Sequence, residues 1–473
     1  MKKVFLISLL TLSASIAAIA QQNDLQGGAT DINQYGQKVS STPVNAAVQD
    51  GILVFQNKEA DYKMWFDVRV QADGAVFFGA PNFCAEGRND HIGSGMNLRR
   101  TRFAVKAQLD KNWYGELDTD WTSGTPELKD AYVGFTGVKG LEVKVGNFKE
   151  NFSIQRNTTS RYLMFMERAM VTYLAPSRHL GVNARYSHNW LWASFGVFGP
   201  EISSKEEQDK MEGNNKDKGY SEGLSYTGKL VFRPLYNSKT SSLHIGGAVS
   251  YRENKTTNTD GYGAIRYSSR NGTSVNRKKY LDTDAISGVD HELAWTVELA
   301  GHWKGLRYET AYIARGAYID NVKNPYIGAE QWADGYYAQA SYLLFGGSQN
   351  YDAGGAKYTR TTSEKKWGNL EVAFRYEYAD FNTGPLWGSK VDVYGGSGHA
   401  YTVGLNYYPS KNVKIVLNWQ YNDNDKWANG KDKFYVGYDK DGYPTKDGAL
   451  VDSSKGIEGV DYQMVAVRFQ VAF

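Results

Sequence analysis

The chain of 473 residues has a single cysteine, only 10 prolines and no long apolar run beyond its N-terminus. No later stretch approaches the ~18 consecutive apolar residues that a membrane helix requires, which excludes a bundle of spanning helices. One cysteine, Cys84, excludes an intrachain disulfide. With no paired Cys or His, it reads as a small residue near a loop rather than a reactive thiol. Seven histidines show no metal-ligand spacing such as HExxH, and neither GxSxG nor a phosphate-cradling glycine loop occurs. His188, His244, His291 and His302 are scattered over strand ends, so no enzyme, cofactor or metal is expected. A triad assembled from distant segments is the enzymatic alternative. Charge of one sign is lacking too: 54 basic residues stand against 51 acidic ones, and nothing points to nucleic acid.

Aromatics are plentiful, with 34 Tyr, 20 Phe and 12 Trp, a composition suited to strands and to interfacial girdles. Lys2 and Lys3, the apolar Val4–Leu12 and the small-residue site Ala18-Ile-Ala20 read as a secretory signal over residues 1–20. No cysteine lies near the cleavage site, so lipid anchoring is not indicated. Residues 21–60 are polar, carry Gly27-Gly28 and Ser40-Ser-Thr-Pro43, and read as a mobile periplasmic lead-in too short to form a transporter plug.

From residue 61 to 473 the pattern has period 2. The last segment, Tyr462–Phe473, sets Val465, Val467, Phe469, Val471 and Phe473 against Met464, Ala466, Arg468, Gln470 and Ala472. Successive strand side chains point to opposite faces, so one face is apolar and the other mostly polar. Tyr62–Gln71, Leu98–Leu109, Leu141–Val145, Leu293–Trp303 and Val413–Tyr421 repeat it. About sixteen such segments predict an all-β fold, an antiparallel transmembrane barrel with lipid outside and water inside. Short turns at Asp110–Asn112, Gly137–Gly140, Asn189, Lys304-Gly305 and Pro409–Asn412 alternate with long polar stretches at 199–223, 253–292, 316–334, 380–398 and 423–460. Residues 346–367 are long where a short turn is due. Trp113, Trp121, Trp303, Trp419 and Tyr421 suit girdle positions, with sugar stacking as the alternative for any that face inward.

One long connection needs burial. Residues 151–179 contain Tyr162-Leu-Met-Phe-Met-Glu-Arg-Ala-Met170, suited to a short helix, and are expected to fold back into the lumen as a constriction loop carrying Tyr162, Phe165 and Glu167. Arg100, Arg102 and Lys106 share one face of a single strand at about 6.5–7 Å per two-residue step, a basic line along the lumen wall. With Lys144 and the loop residues Arg156, Arg161 and Arg168 they form a candidate anion path, because Arg and Lys in a low-dielectric pore favour anions. The competing reading is structural pairing. Glu116, Asp118 and Asp120 lie on the lumen side of the next strand, and Glu167 sits beside Arg168.

Leu98-Arg-Arg-Thr-Arg-Phe103, Glu127-Leu-Lys-Asp-Ala-Tyr132, Val145-Gly-Asn-Phe-Lys-Glu-Asn-Phe-Ser153, Ser160-Arg-Tyr-Leu-Met-Phe-Met-Glu-Arg168, Leu243-His-Ile-Gly246, Gly404-Leu-Asn-Tyr-Tyr-Pro409 and Arg468-Phe-Gln-Val-Ala-Phe473 resemble, in order, the phosphate-selective porin O and P family. The resemblance implies a sixteen-stranded outer-membrane barrel, usually a homotrimer, with its third outer loop folded inward and a ladder of Arg and Lys carrying small anions. Two departures stand out: Asn151 where the family has proline, and acidic side chains on lumen faces. A general or sugar-preferring porin, and a barrel used as an adhesin through loops 253–292 and 423–460, are the alternatives.

Overall fold

The computed structural model describes residues 30–473 except 50, 80–91, 203–222, 237, 239, 254–262, 271, 277 and 457. The signal segment and Cys84 lie outside the described residues. Sixteen antiparallel strands close into one barrel. They are β1 (Lys63–Phe78), β2 (Gly95–Gln108), β3 (Trp113–Asp120), β4 (Glu127–Phe135), β5 (Leu141–Lys149), β6 (Arg178–His188), β7 (Leu191–Phe198) and β8 (Ser225–Phe232). There follow β9 (Ser241–Glu253), β10 (Ile286–Trp303), β11 (Leu306–Ile319), β12 (Glu330–Leu343), β13 (Asn369–Gly384), β14 (Val393–Ser410), β15 (Val413–Asn424) and β16 (Tyr462–Ala472). No described helix is long and apolar enough to cross a membrane.

The alternation in β16 sets its orientation. Val465, Val467 and Phe469 are exposed on the outer wall, while Met464, Ala466 and Arg468 are buried inside. β16 pairs with β1 from Gln463↔Phe78 to Ala472↔Arg69, and Phe473 exchanges both backbone hydrogen bonds with Val68. Closure leaves no unpaired edge in the wall. Trp113, Trp121, Trp303 and Trp419 are exposed on the outer face.

Three expectations are corrected. The stretches 316–334 and 380–398 are about half strand, since β11 runs to Ile319, β12 starts at Glu330, β13 runs to Gly384 and β14 starts at Val393. The lead-in is not without structure: Thr30–Ile32 pairs with Lys38–Ser40, and the hairpin Val44–Gln49/Ile52–Asn57 adds onto β1 below the point where β16 ends. Tyr162–Met170 is not a helix. The loop between β5 and β6 holds one helical turn, α1 (Ile154–Asn157, capped by the Ser153 hydroxyl), with 3₁₀ turns at Ser160–Tyr162 and Met170–Leu174.

The reason is in the wall. Inside the lumen, the carbonyls of this loop accept hydrogen bonds from side chains of the far strands rather than from helical N–H groups. Gln470 donates to Arg161 O (3.3 Å), Arg307 to Tyr162 O (3.1 Å), Lys414 to Leu163 O (2.7 Å) and Asn406 to Met164 O (2.8 Å). Arg468 donates to Met166 O, and Arg375 to Glu167 O at 2.9 Å. In the opposite sense, Glu298 accepts from Ile154 N (2.7 Å) and Glu377 from Met170 N (2.5 Å). The loop therefore crosses the lumen.

Behind it lies the apolar core of the molecule, inside the barrel. Phe152, Met166, Met170 and Leu174 pack with Tyr280 and Leu281 from the β9–β10 connection and with Val436 and Val451 from the β15–β16 connection. Inward alanines (Ala248, Ala294, Ala311, Ala333, Ala379 and Ala400) leave the wall thin enough to accommodate them. The long 344–368 connection carries a hairpin, Tyr351-Asp352/Lys357-Tyr358, that also turns into the lumen. Trp192 Nε1 donates to Gly354 O at 2.9 Å, and Tyr358 N meets Thr158 Oγ1 at 3.3 Å.

Arg468, 2% exposed, forks onto Asp73 with both contacts at 2.7 Å and reaches Glu167 at 2.8 Å. Arg468→Met leaves two buried carboxylates short of a partner. It is expected to destabilise the barrel by about 3–5 kcal/mol, read as an earlier denaturant midpoint. Adding Asp73→Asn is expected to recover part of the loss.

Candidate functional site

The inward loop fills the side of the lumen bounded by β10–β16 and leaves open the side bounded by β1–β6. Two cavities follow that side. One of about 330 Å³ lies toward the long loops, and one of about 470 Å³ lies toward the short turns and the 351–358 hairpin. Arg102 on β2 and Arg178 at the start of β6 line both, so they mark the neck between them.

The wall cations expected from alternation are present and bracketed by acids. Arg102 lies 3.0 Å from Asp120 and 3.5 Å from Asp118. Lys106 contacts Asp67 at 3.1 Å and Glu116 at 3.3 Å. Lys144 is 3.5 Å from Glu142 and stands over the Tyr132 ring at 4.5 Å. Arg161 is bonded to Asp67. Arg100 is buried, donates to Gln71 at 2.7 Å and lies 3.6 Å from Glu167. The neck residue Arg178 forks onto Asp130 at 3.1 and 2.7 Å.

A second set has no acid partner. Lys149, at the end of β5, donates to Arg156 O at 3.0 Å. Arg156 donates to Ala175 O at 3.3 Å, and Arg168 to Gln155 O at 2.7 Å and Thr158 O at 2.8 Å. Among the described residues, none of the three is within 4.0 Å of a carboxylate oxygen. Backbone carbonyls fix these side chains but do not cancel their charge. Burial, and after it the Arg156 guanidinium, pushes Arg168 down to about 9, so it remains protonated at neutral pH among like charges. Lys149 lines the turn-side cavity and Arg156 and Arg168 the loop-side one, so uncompensated positive charge spans the neck.

The constriction-loop residues separate in role. Tyr162 lines the turn-side cavity. Phe165 does not face the path: it packs on the wall, with the Arg375 guanidinium 4.7 Å from its ring and the bare Cα of Gly404 beside it. Glu167 lines the loop-side cavity, bound to Arg99 at 2.7 Å.

Arg99 is not singled out in the sequence; with Arg100 and Arg102 inward, strict alternation would turn it outward, yet it lines the loop-side cavity beside Arg100. β1 pairs Gln71 with Arg100 and Ala72 with Leu98, so Arg99 is the extra residue of a β-bulge. A bulge depends on the partner strand and leaves no mark in the alternation of β2 alone. Lys149 and Arg178 were missed because they flank the inward loop, where the chain leaves the wall. Their signal is position, at the two ends of a connection that needs burial.

Glu116, Asp118 and Asp130 are the one described group of acids close enough together to converge on a metal ion. Lys106, Arg102 and Arg178 already pair with them, which makes the group a counter-charge to basic side chains.

Burial raises the pKa of the Glu167 carboxyl, but Arg99, Arg100 and Arg468 outweigh it and hold the group well below its ordinary 4.5. A lowered folded-state pKa contributes stability that is complete above the unfolded value and lost as pH falls through the folded one. The difference in Tm between the wild type and Glu167→Gln is expected to be steady down to about pH 5 and to shrink below about 4.5. A difference that is the same at both ends of an acid titration refutes this tie.

The family model for phosphate-selective porin O and P matches residues 69–439. Porin O of Pseudomonas aeruginosa is 25% identical over 421 residues, 82% of this chain and 88% of that protein. A protein of Caulobacter vibrioides described as uncharacterized is 26% identical over 338 residues, 69% of this chain and 63% of its own length. Among solved structures, the anion-selective porin from Comamonas acidovorans superposes with a TM-score of 0.48 at 12% identity, over 87% of this chain and 100% of that one. The outer-membrane channel DcaP of Acinetobacter baumannii gives 0.48 at 12% identity, over 89% and 99%.

Proposed function

Because the chain belongs to the phosphate-selective porin O and P family of outer-membrane porins, we propose that it conducts small anions passively, with inorganic phosphate or similar oxyanions as its most specific solutes. The observation that carries this reading is the trio Lys149, Arg156 and Arg168, whose partners at the neck are neutral carbonyls. Fixed positive charge in a narrow, low-dielectric passage lowers the barrier for anions, and the absence of a tight cage lets them leave. Arg100, Arg102, Lys106, Lys144 and Arg161 add to the field but are largely offset by the acids that bracket them. No energy source or cofactor is invoked. The exported chain is proposed to sit in outer-membrane lipid as a homotrimer, as the family resemblance implies.

Broader specificity is the second reading, favoured by the acids of the turn-side cavity. Asp67, Glu116, Asp118, Asp130 and Glu142 alternate there with the cations, and such a mixed field also suits zwitterions. The adhesin reading is disfavoured, since a surface scaffold has no use for a loop clamped across its lumen.

Reversal potential under a KCl gradient, measured on purified channels in a planar bilayer, tests the proposal. Anion preference is expected, with chloride current reduced by added phosphate. Lys149→Gln and Arg168→Gln are each expected to lower the chloride-to-potassium permeability ratio severalfold, more than Lys106→Gln does. A cation-leaning wild type, or equal effects of all three substitutions, overturns the assignment of the path to the acid-free trio.

A further inference from the structure

Three guanidinium groups converge beside the loop-side cavity on one carboxylate that belongs to the chain itself. Glu167 receives Nε and Nη2 of Arg99 at 2.7 and 3.1 Å in a two-pronged contact. Arg468 Nη2 donates to it at 2.8 Å, and Arg100 Nη2 lies 3.6 Å away. The Glu167, Arg100 and Arg468 side chains are 6%, 5% and 2% exposed, and Arg99 is 22% exposed. Arg99, Arg100 and Glu167 all line the cavity. The planar forks of arginine fit carboxylates and tetrahedral oxyanions alike.

Charge makes the arrangement more than a structural tie. Among the described residues, Arg468 alone of the three arginines has another acid within 4.0 Å, Asp73. Arg168, the next residue, adds a cation held only by carbonyls. Without the Glu167 carboxylate the cluster keeps an excess of positive charge against open space, and such a site recruits an anion.

We propose that Glu167 is the specificity-determining residue of this channel: it occupies, from within the chain, a site that would otherwise hold phosphate or sulfate, so that oxyanions pass the loop-side cavity without being trapped there. The proposal rests on that cavity being part of the anion path. The β-bulge at Arg99 and the fold-back of the loop supply the geometry. The bulge turns a second consecutive arginine inward, and the wall clamp on Glu167 O fixes the carboxylate between them.

The test uses the full-length channel in planar bilayers, with chloride current titrated by inorganic phosphate and, separately, by sulfate. In Glu167→Ala, which removes the carboxylate and opens its space, half-block is expected at a phosphate concentration about tenfold or more below that of the wild type. The gain is expected to disappear when Arg99→Gln is added. Glu167→Gln fills the space without the charge and is expected to raise the chloride-to-potassium ratio without the extra block. An unchanged phosphate titration in a folded Glu167→Ala channel overturns the proposal. Should that variant fail to fold, refolding in acetate or phosphate supplies the missing anion. Recovery by either supports the site, and recovery by neither, with an unaltered permeability ratio in Glu167→Gln, overturns it. A cation-leaning wild type that still gains block in Glu167→Ala would sink the anion path and leave the site standing.

Discussion

The interior of this barrel depends on hydrogen bonds from wall side chains to the carbonyls of one loop. A segment without regular secondary structure has no internal partners for its backbone polar groups, and placing it out of water leaves each unpaired carbonyl at a cost of about 1–3 kcal/mol. Here Gln470, Arg307, Lys414, Asn406, Arg468 and Arg375 serve the carbonyls of residues 161–164, 166 and 167. They come from β11 and β13–β16, so closing the barrel creates the receptor for its own loop. The apolar core of Phe152, Met166, Met170 and Leu174 then forms behind the loop, and the open passage is displaced against β1–β6.

That displacement divides the basic residues by what they do. Those on the far wall are committed to the clamp. Arg102 and Lys106 on β2 and Lys144 on β5 are balanced by nearby acids, as Arg102 is by Asp118 and Asp120. Where the loop joins the wall, at Lys149, Arg156 and Arg168, positive charge is held by neutral oxygen, and Arg69 on β1, held by the Ser160 hydroxyl at 2.9 Å, adds to it on the turn side. An overall charge close to balance thus conceals a concentrated field, because the imbalance is local to the neck.

The wall was largely legible in the sequence, since a lumen-and-lipid barrel writes its two faces as alternation and its two ends as short turns and long loops. Val465, Val467 and Phe469 read outward and are outward; the apolar stretch of 151–179 reads as needing burial, and Leu163–Glu167 and Ala169–Thr172 are buried. What failed to read depends on residues remote in the chain. The Arg99 bulge is set by β1. The extended path of Tyr162–Met170 is set by donors that lie more than a hundred positions later. Whether a lysine meets a carboxylate or a carbonyl is decided across strands, so Lys149 and Lys106 look alike as letters and differ as electrostatics. The hairpins of the lead-in escaped because their strands are only three to six residues long and Ile52–Phe55 is a continuous apolar run without alternation.

The 351–358 hairpin and the inward loop enter the lumen from opposite mouths and touch at Tyr358 N and Thr158 Oγ1. The Tyr358 ring in turn stacks 3.7 Å from the Arg307 guanidinium, which grips Tyr162 O. The two ends of the barrel are thereby joined by a continuous mechanical link through its centre. The hairpin and the inward loop therefore brace each other inside the barrel, so neither has to be held in place by its own mouth alone.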